Sequence, residues 1–172
     1  NGRLGAGLYE QSSHRLVDVS GCMVQHPRVN EMIQITRDVL EQLKIPEYNE
    51  RRRTGVVRTI VARMGFETGT YQLTLVTATQ HIPRLKELIL ELRYRLPDVA
   101  SIMQNINPGR SPLIYGEETR LLWGDETIEE KLGSVRFSLS PRAFFQLNPE
   151  QTVKLYNLVR EAAALTGRER VV

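Results

Sequence analysis

The stretch that most constrains this chain is Phe137-Ser138-Leu139-Ser140-Pro141-Arg142-Ala143-Phe144-Phe145-Gln146-Leu147-Asn148. Residues 135–139 read as a strand, Pro141 imposes a turn, and a polar–aromatic knot follows. Asn148-Pro149-Glu150 then joins a capping side chain, a proline suited to the first helical position and an acid in the first turn. Val153, Tyr156, Val159 and Ala163 recur at helical spacing, which predicts a helix to about residue 165, stopped by Gly167. Arg168-Glu169-Arg170-Val171-Val172 reads as the start of a further strand, an entry into an α/β unit outside the sequence. The knot has two readings. In one, Phe144 and Phe145 pack in a core corner and Gln146 bonds to backbone, because phenylalanine is usually buried. In the other, an aromatic face meets a base and the amide meets a polar cofactor.

Length allows one domain or two small lobes: 172 residues can bury a proper core. No apolar run reaches membrane-spanning length, so no membrane partner is expected. Asn1-Gly2-Arg3 carries neither a signal core nor an initiator methionine, and the chain is expected to be the middle of a longer protein. A net charge of +3 permits an anionic partner without demanding one. The single cysteine, Cys22, rules out an internal disulfide framework and fits the cytoplasm.

Residues 4–10 and 15–19 read as strands around Gln11-Ser12-Ser13-His14, and residues 20–27 as a loop holding Cys22 and Pro27. Val29, Met32, Ile33, Val39, Leu40 and Leu43 mark an amphipathic helix over 28–44, ended by Pro46. The connector 47–54 contains Arg51-Arg52-Arg53, either a solvated loop or a phosphate contact. Residues 56–64 and 70–78 form a hairpin around Glu67-Thr68-Gly69. Arg58 and Arg63 have opposite parity in its first strand, so at most one faces any single RNA surface. Leu85, Leu88, Ile89, Leu92 and Leu96 make a second amphipathic helix, and residues 99–106 another strand. After a Pro/Gly-bracketed loop over 105–112 come short strands at 113–115 and 119–123 and a short helix at 127–131. This order predicts an α+β fold: a mostly antiparallel sheet with two amphipathic helices packed on it. The expected organisation is a central domain over 1–134, or two small lobes sharing a sheet, then a connecting strand, knot and helix over 135–172. The edge strand begun at Val171-Val172 could pair two copies of the chain as an artefact.

There is no Gly-rich phosphate loop, Walker motif or zinc-ligand spacing. His14, His26 and His81 are scattered and read as surface or capping residues. Glu117-Glu118 and Glu129-Glu130 read as solvated faces. Nothing here makes a self-sufficient active site.

The knot resembles the stretch that precedes the methyltransferase domain in the RNA (uracil-5-)-methyltransferases, which use S-adenosylmethionine and a cysteine nucleophile. The 23S ribosomal RNA enzymes of Gram-positive bacteria look closest. Gly7-Leu8-Tyr9 through Ser13-His14-Arg15-Leu16-Val17-Asp18 and Cys22-Met23-Val24-Gln25 is similar to that family's early hairpin and loop. Arg58 before Thr68-Gly69 is similar to its central hairpin. Ser101-Ile102 through Asn105-Ile106-Asn107, with Gly116 and Leu121-Leu122-Trp123-Gly124, is similar to its later strands. The resemblance covers essentially the whole chain. It implies a central domain between an RNA-binding barrel with a cysteine-rich segment and a Rossmann-like catalytic domain.

From the resemblance, Gln146 reaches S-adenosylmethionine and Phe144 lies near the substrate base, while Phe145 keeps a core role. Cys22 matches the fourth ligand of a 4Fe-4S cluster whose other ligands lie upstream. Without the resemblance it reads as a small buried apolar residue, and one thiolate holds no cluster in this chain. Arg58, Asn105, Asn107 and the Arg51-Arg52-Arg53 run are candidates for contact with ribosomal RNA; the asparagines could equally cap their own loops. The implied mechanism adds a thiolate to uracil C6, so that C5 can take the methyl group before a base removes its proton. Both groups belong to the domain outside this chain, which alone is expected to be inactive, with no protein partner. Two alternatives stand: a transfer RNA enzyme of the same family, which the presence of Cys22 disfavours, and a stand-alone RNA-binding adaptor.

Overall fold

Two short strands, β1 (Gly7–Tyr9) and β2 (Leu16–Asp18), open the chain as an antiparallel ribbon. The computed structural model describes residues 5, 7–11, 13, 15–19, 21–109 and 113–170. His14, part of the loop at Arg110, Ser111 and Pro112, and the expected strand start at Val171 and Val172 lie outside the described residues. Helix α1 (Pro27–Gln42) begins where the His26 ring accepts the Arg28 N–H at 3.3 Å, with Pro27 in the first turn. The capping role read for His26 is thus present. The helix ends slightly before the expected residue 44, because Lys44 turns to a φ of +53°.

Strands β3 (Val57–Met64) and β4 (Tyr71–Thr77) form the expected hairpin. Helix α2 (Leu85–Arg95) then carries the chain back, so β5 (Val99–Ile106) runs parallel to β4. Strand β6 (Glu118–Gly124) closes a four-stranded sheet of order β3-β4-β5-β6. Met32, Val39 and Leu40 of α1 and Leu88 and Leu92 of α2 share one core with Leu73, Leu75 and Ile102 of the sheet. Each aliphatic side chain fully removed from water there contributes about 1.5–3 kcal/mol. Among the described residues, four of five strand pairings are antiparallel. The fold is α+β, with a parallel pair at the centre of its main sheet.

Two expectations fail between β6 and the knot. Residues 113–115 form no strand. Residues 127–131 form no helix: β7 (Ile128–Leu132) and β8 (Val135–Leu139) are a hairpin joined by Gly133, at a φ of +62°, and Ser134. This hairpin crosses position 134. Nor is Glu130 a solvated acid. It is buried, accepting the N–H groups of Phe66 at 2.8 Å and Lys131 at 2.8 Å, so it fixes the β3–β4 turn onto the second hairpin.

Helix α3 (Pro149–Ala163) starts at Asn148, whose side chain accepts the Gln151 N–H at 3.1 Å. Ala164, in a left-handed conformation, ends it before Gly167. Residues 168–170 are not a strand; the Glu169 carboxylate folds back onto the N–H groups of Thr166, Gly167 and Arg168, and its pKa falls to about 2.

Candidate functional site

Strand β8 ends in a buried Leu139, and the knot that follows is held by side chains from far away in sequence. Arg63 of β3 donates to the Ala143 carbonyl at 2.6 Å and to the Ser140 carbonyl at 3.2 Å. The Tyr115 hydroxyl donates to the Pro141 carbonyl at 3.1 Å. Arg142 reaches the Glu117 carbonyl at 3.3 Å. Burial lowers the Arg63 pKa, and no carboxylate pairs with Arg63 among the described residues. Burial likewise raises the Tyr115 pKa, against the pull of Arg63 and Arg142.

On this pinned backbone the aromatic pair divides. Phe145 turns inward, its ring 5.4 Å from that of Phe137 at an angle of 62°. Phe144 is 85% exposed, and Gln146 beside it is exposed, its side chain making no hydrogen bond among the described residues. The packed-corner reading therefore holds for Phe145 alone. A large ring and an exposed amide stand in solvent on a segment whose carbonyls are clamped. Leu147, 94% exposed, extends that edge.

Arg58, Asn105 and Asn107 are not open to a ligand. Arg58 donates to the carbonyls of Asn107 at 2.8 Å and Gly109 at 2.7 Å and pairs with Glu50 at 2.8 Å. Asn105 is fully buried, its amide donating to Gly116, Glu118 and Thr119 and accepting the Gly116 N–H at 2.7 Å. Asn107 donates to the carbonyls of Leu113 and Ile114. A saturated buried amide cannot also bond to RNA, so the loop-capping alternative is the one realised. These asparagines still serve the knot, because the loop they fix carries Tyr115. The supporting roles of Arg63 and Tyr115 escaped the sequence reading; the one signal was a cation following the apolar run Ile60-Val61-Ala62 and paired across the hairpin with Gln72 rather than an acid.

No family model matches the chain. A protein from Halalkalibacterium halodurans named as an uncharacterized RNA methyltransferase is 54% identical over 171 residues, covering 99% of this chain and 37% of its own length. A Listeria monocytogenes protein of the same description is 46% identical over all 172 residues, 38% of its length. The chain matches one segment of these proteins named as RNA methyltransferases. It spans a little over a third of the length of these relatives. Among solved structures, the Pyrococcus abyssi tRNA (uracil-54, C5)-methyltransferase with S-adenosyl-L-homocysteine superposes with a TM-score of 0.74 at 30% identity, over 91% of this chain and 38% of that one.

Within this chain, the residues present cannot by themselves hold an iron–sulfur cluster. Cys22 is the only cysteine, half-buried and free, and no group of three His, Cys, Asp or Glu residues stands ready for a metal among the described residues. Its carbonyl instead accepts the Asn30 side-chain amide at 3.0 Å, tying the loop to α1. No helix among the described residues is long and apolar enough to cross a membrane.

Proposed function

We propose that this segment forms one wall of the cleft of a cytoplasmic, S-adenosylmethionine-dependent enzyme that methylates C5 of a uridine in 23S ribosomal RNA. The observation that carries this is the split knot: Phe144 and Gln146 exposed, Phe145 packed, and the backbone held by Arg63 and Tyr115. The cofactor supplies an electrophilic methyl group. Gln146 would hold it, since one amide can donate to its carboxylate or hydroxyls and accept from its ammonium. Phe144 would stack on the extruded uracil, worth about 1–3 kcal/mol. Thiolate and general base belong to the part of the parent outside this segment. Cys22 stays in this reading only as one cluster ligand, with the remaining thiolates supplied from elsewhere in the parent.

A transfer RNA substrate is the second reading, favoured by the solved neighbour, whose described substrate is tRNA uracil-54. Labelled-methyl transfer by the full-length protein to 23S ribosomal RNA and to transfer RNA transcripts separates the two. Gln146→Ala is expected to raise KM for S-adenosylmethionine about tenfold or more, and Phe144→Ala to lower kcat/KM for RNA by roughly 5- to 150-fold. An unchanged cofactor KM in Gln146→Ala removes that assignment; RNA binding without methyl transfer makes the parent an adaptor. Iron content unchanged by Cys22→Ala removes the cluster role.

A further inference from the structure

The connector between α1 and β3 is a built feature. The Asn49 N–H donates to the Thr54 carbonyl at 2.7 Å, and the Tyr48 N–H to the Val57 carbonyl at 2.8 Å. The Asn49 side chain accepts the Arg52 N–H at 2.9 Å, and the Asn49 carbonyl the Arg53 N–H at 2.7 Å. Gly55 makes the ribbon possible: its φ is +111°, and a Cβ there would lie 1.9 Å from the Glu47 carbonyl oxygen. The tip therefore presents Arg51, Arg52 and Arg53 from a fixed backbone, all exposed.

The charge arrangement at this tip is one-sided. Glu50 is the acid next to the arginine run, and Arg58 holds it at 2.8 Å. Arg58 is itself mostly buried, its guanidinium 5.0 Å from the Tyr48 ring centroid and bonded to the Asn107 and Gly109 carbonyls. None of Arg51, Arg52 and Arg53 has a carboxylate partner among the described residues. Three cations stand free while the neighbouring anion is neutralised from behind.

We infer that this tip is a phosphate-binding site for the RNA backbone, with Arg51, Arg52 and Arg53 making the contacts and Arg58 shielding Glu50 from them. The inference rests on the RNA methyltransferase reading for its partner and adds a site remote in sequence from the knot. Because the contacts are to phosphate, the site supplies affinity and register but no sequence discrimination. Each guanidinium on a phosphate releases condensed counterions, so its signature is a salt exponent.

The test is fluorescence-anisotropy binding of a labelled 23S ribosomal RNA hairpin to the full-length protein between about 50 and 200 mM salt. Replacing the three tip arginines with glutamine is expected to lower the slope of log K against log salt by about 2–3. Binding at the low-salt end falls more than at the high-salt end. Arg58→Gln alone is expected to weaken binding by exposing Glu50, and adding Glu50→Gln to restore it. An unchanged salt slope in the triple variant, with thermal melting as in the parent, overturns the site; so does a wild-type protein that binds no RNA. A tip serving an acidic protein surface would also leave the slope unmoved. If the slope falls but full-length protein transfers no methyl, the tip stands and the methyltransferase reading falls. If methyl transfer proceeds and the slope is unchanged, the reverse holds.

Discussion

Arg58 and Arg63 lie on the same strand and each bonds two carbonyls of a distant loop, yet their surroundings differ. Arg58 has a carboxylate partner in Glu50 and an aromatic ring beside it. Arg63 has no carboxylate partner among the described residues, and burial depresses its pKa. A guanidinium with a counterion keeps a loop in place at small desolvation cost. One without a counterion has no opposite charge to offset its desolvation, so its carbonyl bonds alone hold it in place. The knot thus depends on its arginine more than the 107–109 loop depends on its own.

The most severe test of that contrast is Arg63→Met, which leaves the Ser140 and Ala143 carbonyls without their donor. Denaturant unfolding is expected to show a loss of about 2–3 kcal/mol. In the full-length protein the same variant should raise KM for S-adenosylmethionine as Gln146→Ala does, because it frees the segment that carries Gln146. Arg58→Met should cost less, about 1–2 kcal/mol, because Glu50, 43% exposed, returns to water when its partner goes, and should leave that KM alone. Equal losses would erase the distinction. Tyr115→Phe is expected to cost about 1 kcal/mol through the Pro141 carbonyl.

The tyrosine also has a pH signature. Burial raises its pKa in the folded state, as it does for Tyr71. Stability is therefore whole below about pH 10, the unfolded value, and falls as pH climbs from there through the raised folded value. Tyr115→Phe should flatten part of that alkaline decline in a melting series. The smallest effect belongs to Glu169, fully exposed, whose pKa of about 2 comes from bonds to its neighbours. Its contribution is present above the ordinary carboxylate range and lost as pH drops towards 2. Glu169→Gln should leave the melting temperature unmoved and abolish the acid-range shift of the Thr166 and Gly167 amide protons.

The first hairpin, both amphipathic helices and the N-cap of α3 were legible in the sequence because apolar spacing and capping chemistry act locally. Strand β7 was not, because Glu130 occupies an inward position and an acid there disguises the alternation of Ile128 and Leu132. Its legible clue was Gly133-Ser134, a two-residue hairpin turn. The parallel β4–β5 pair is a consequence of α2 crossing over, which no window of residues records. At the knot, residue type left Phe144 and Phe145 equivalent; only Phe137, across the corner, tells them apart. Asn105, Asn107 and Arg58 read as candidates for RNA contact, with loop capping the alternative for the asparagines, because most of their partners are backbone carbonyls, to which composition is blind.

Helix α3 is buried only at Pro149 and Thr152, and beyond Val153 every residue of it faces solvent. Fifteen residues make a rod of about 22 Å. A tilt on the order of 10° about its anchored base would carry the far tip roughly 4 Å, given that length. Such a lever converts a slight repacking beneath Asn148 into a displacement as wide as a base-pair step, or the reverse.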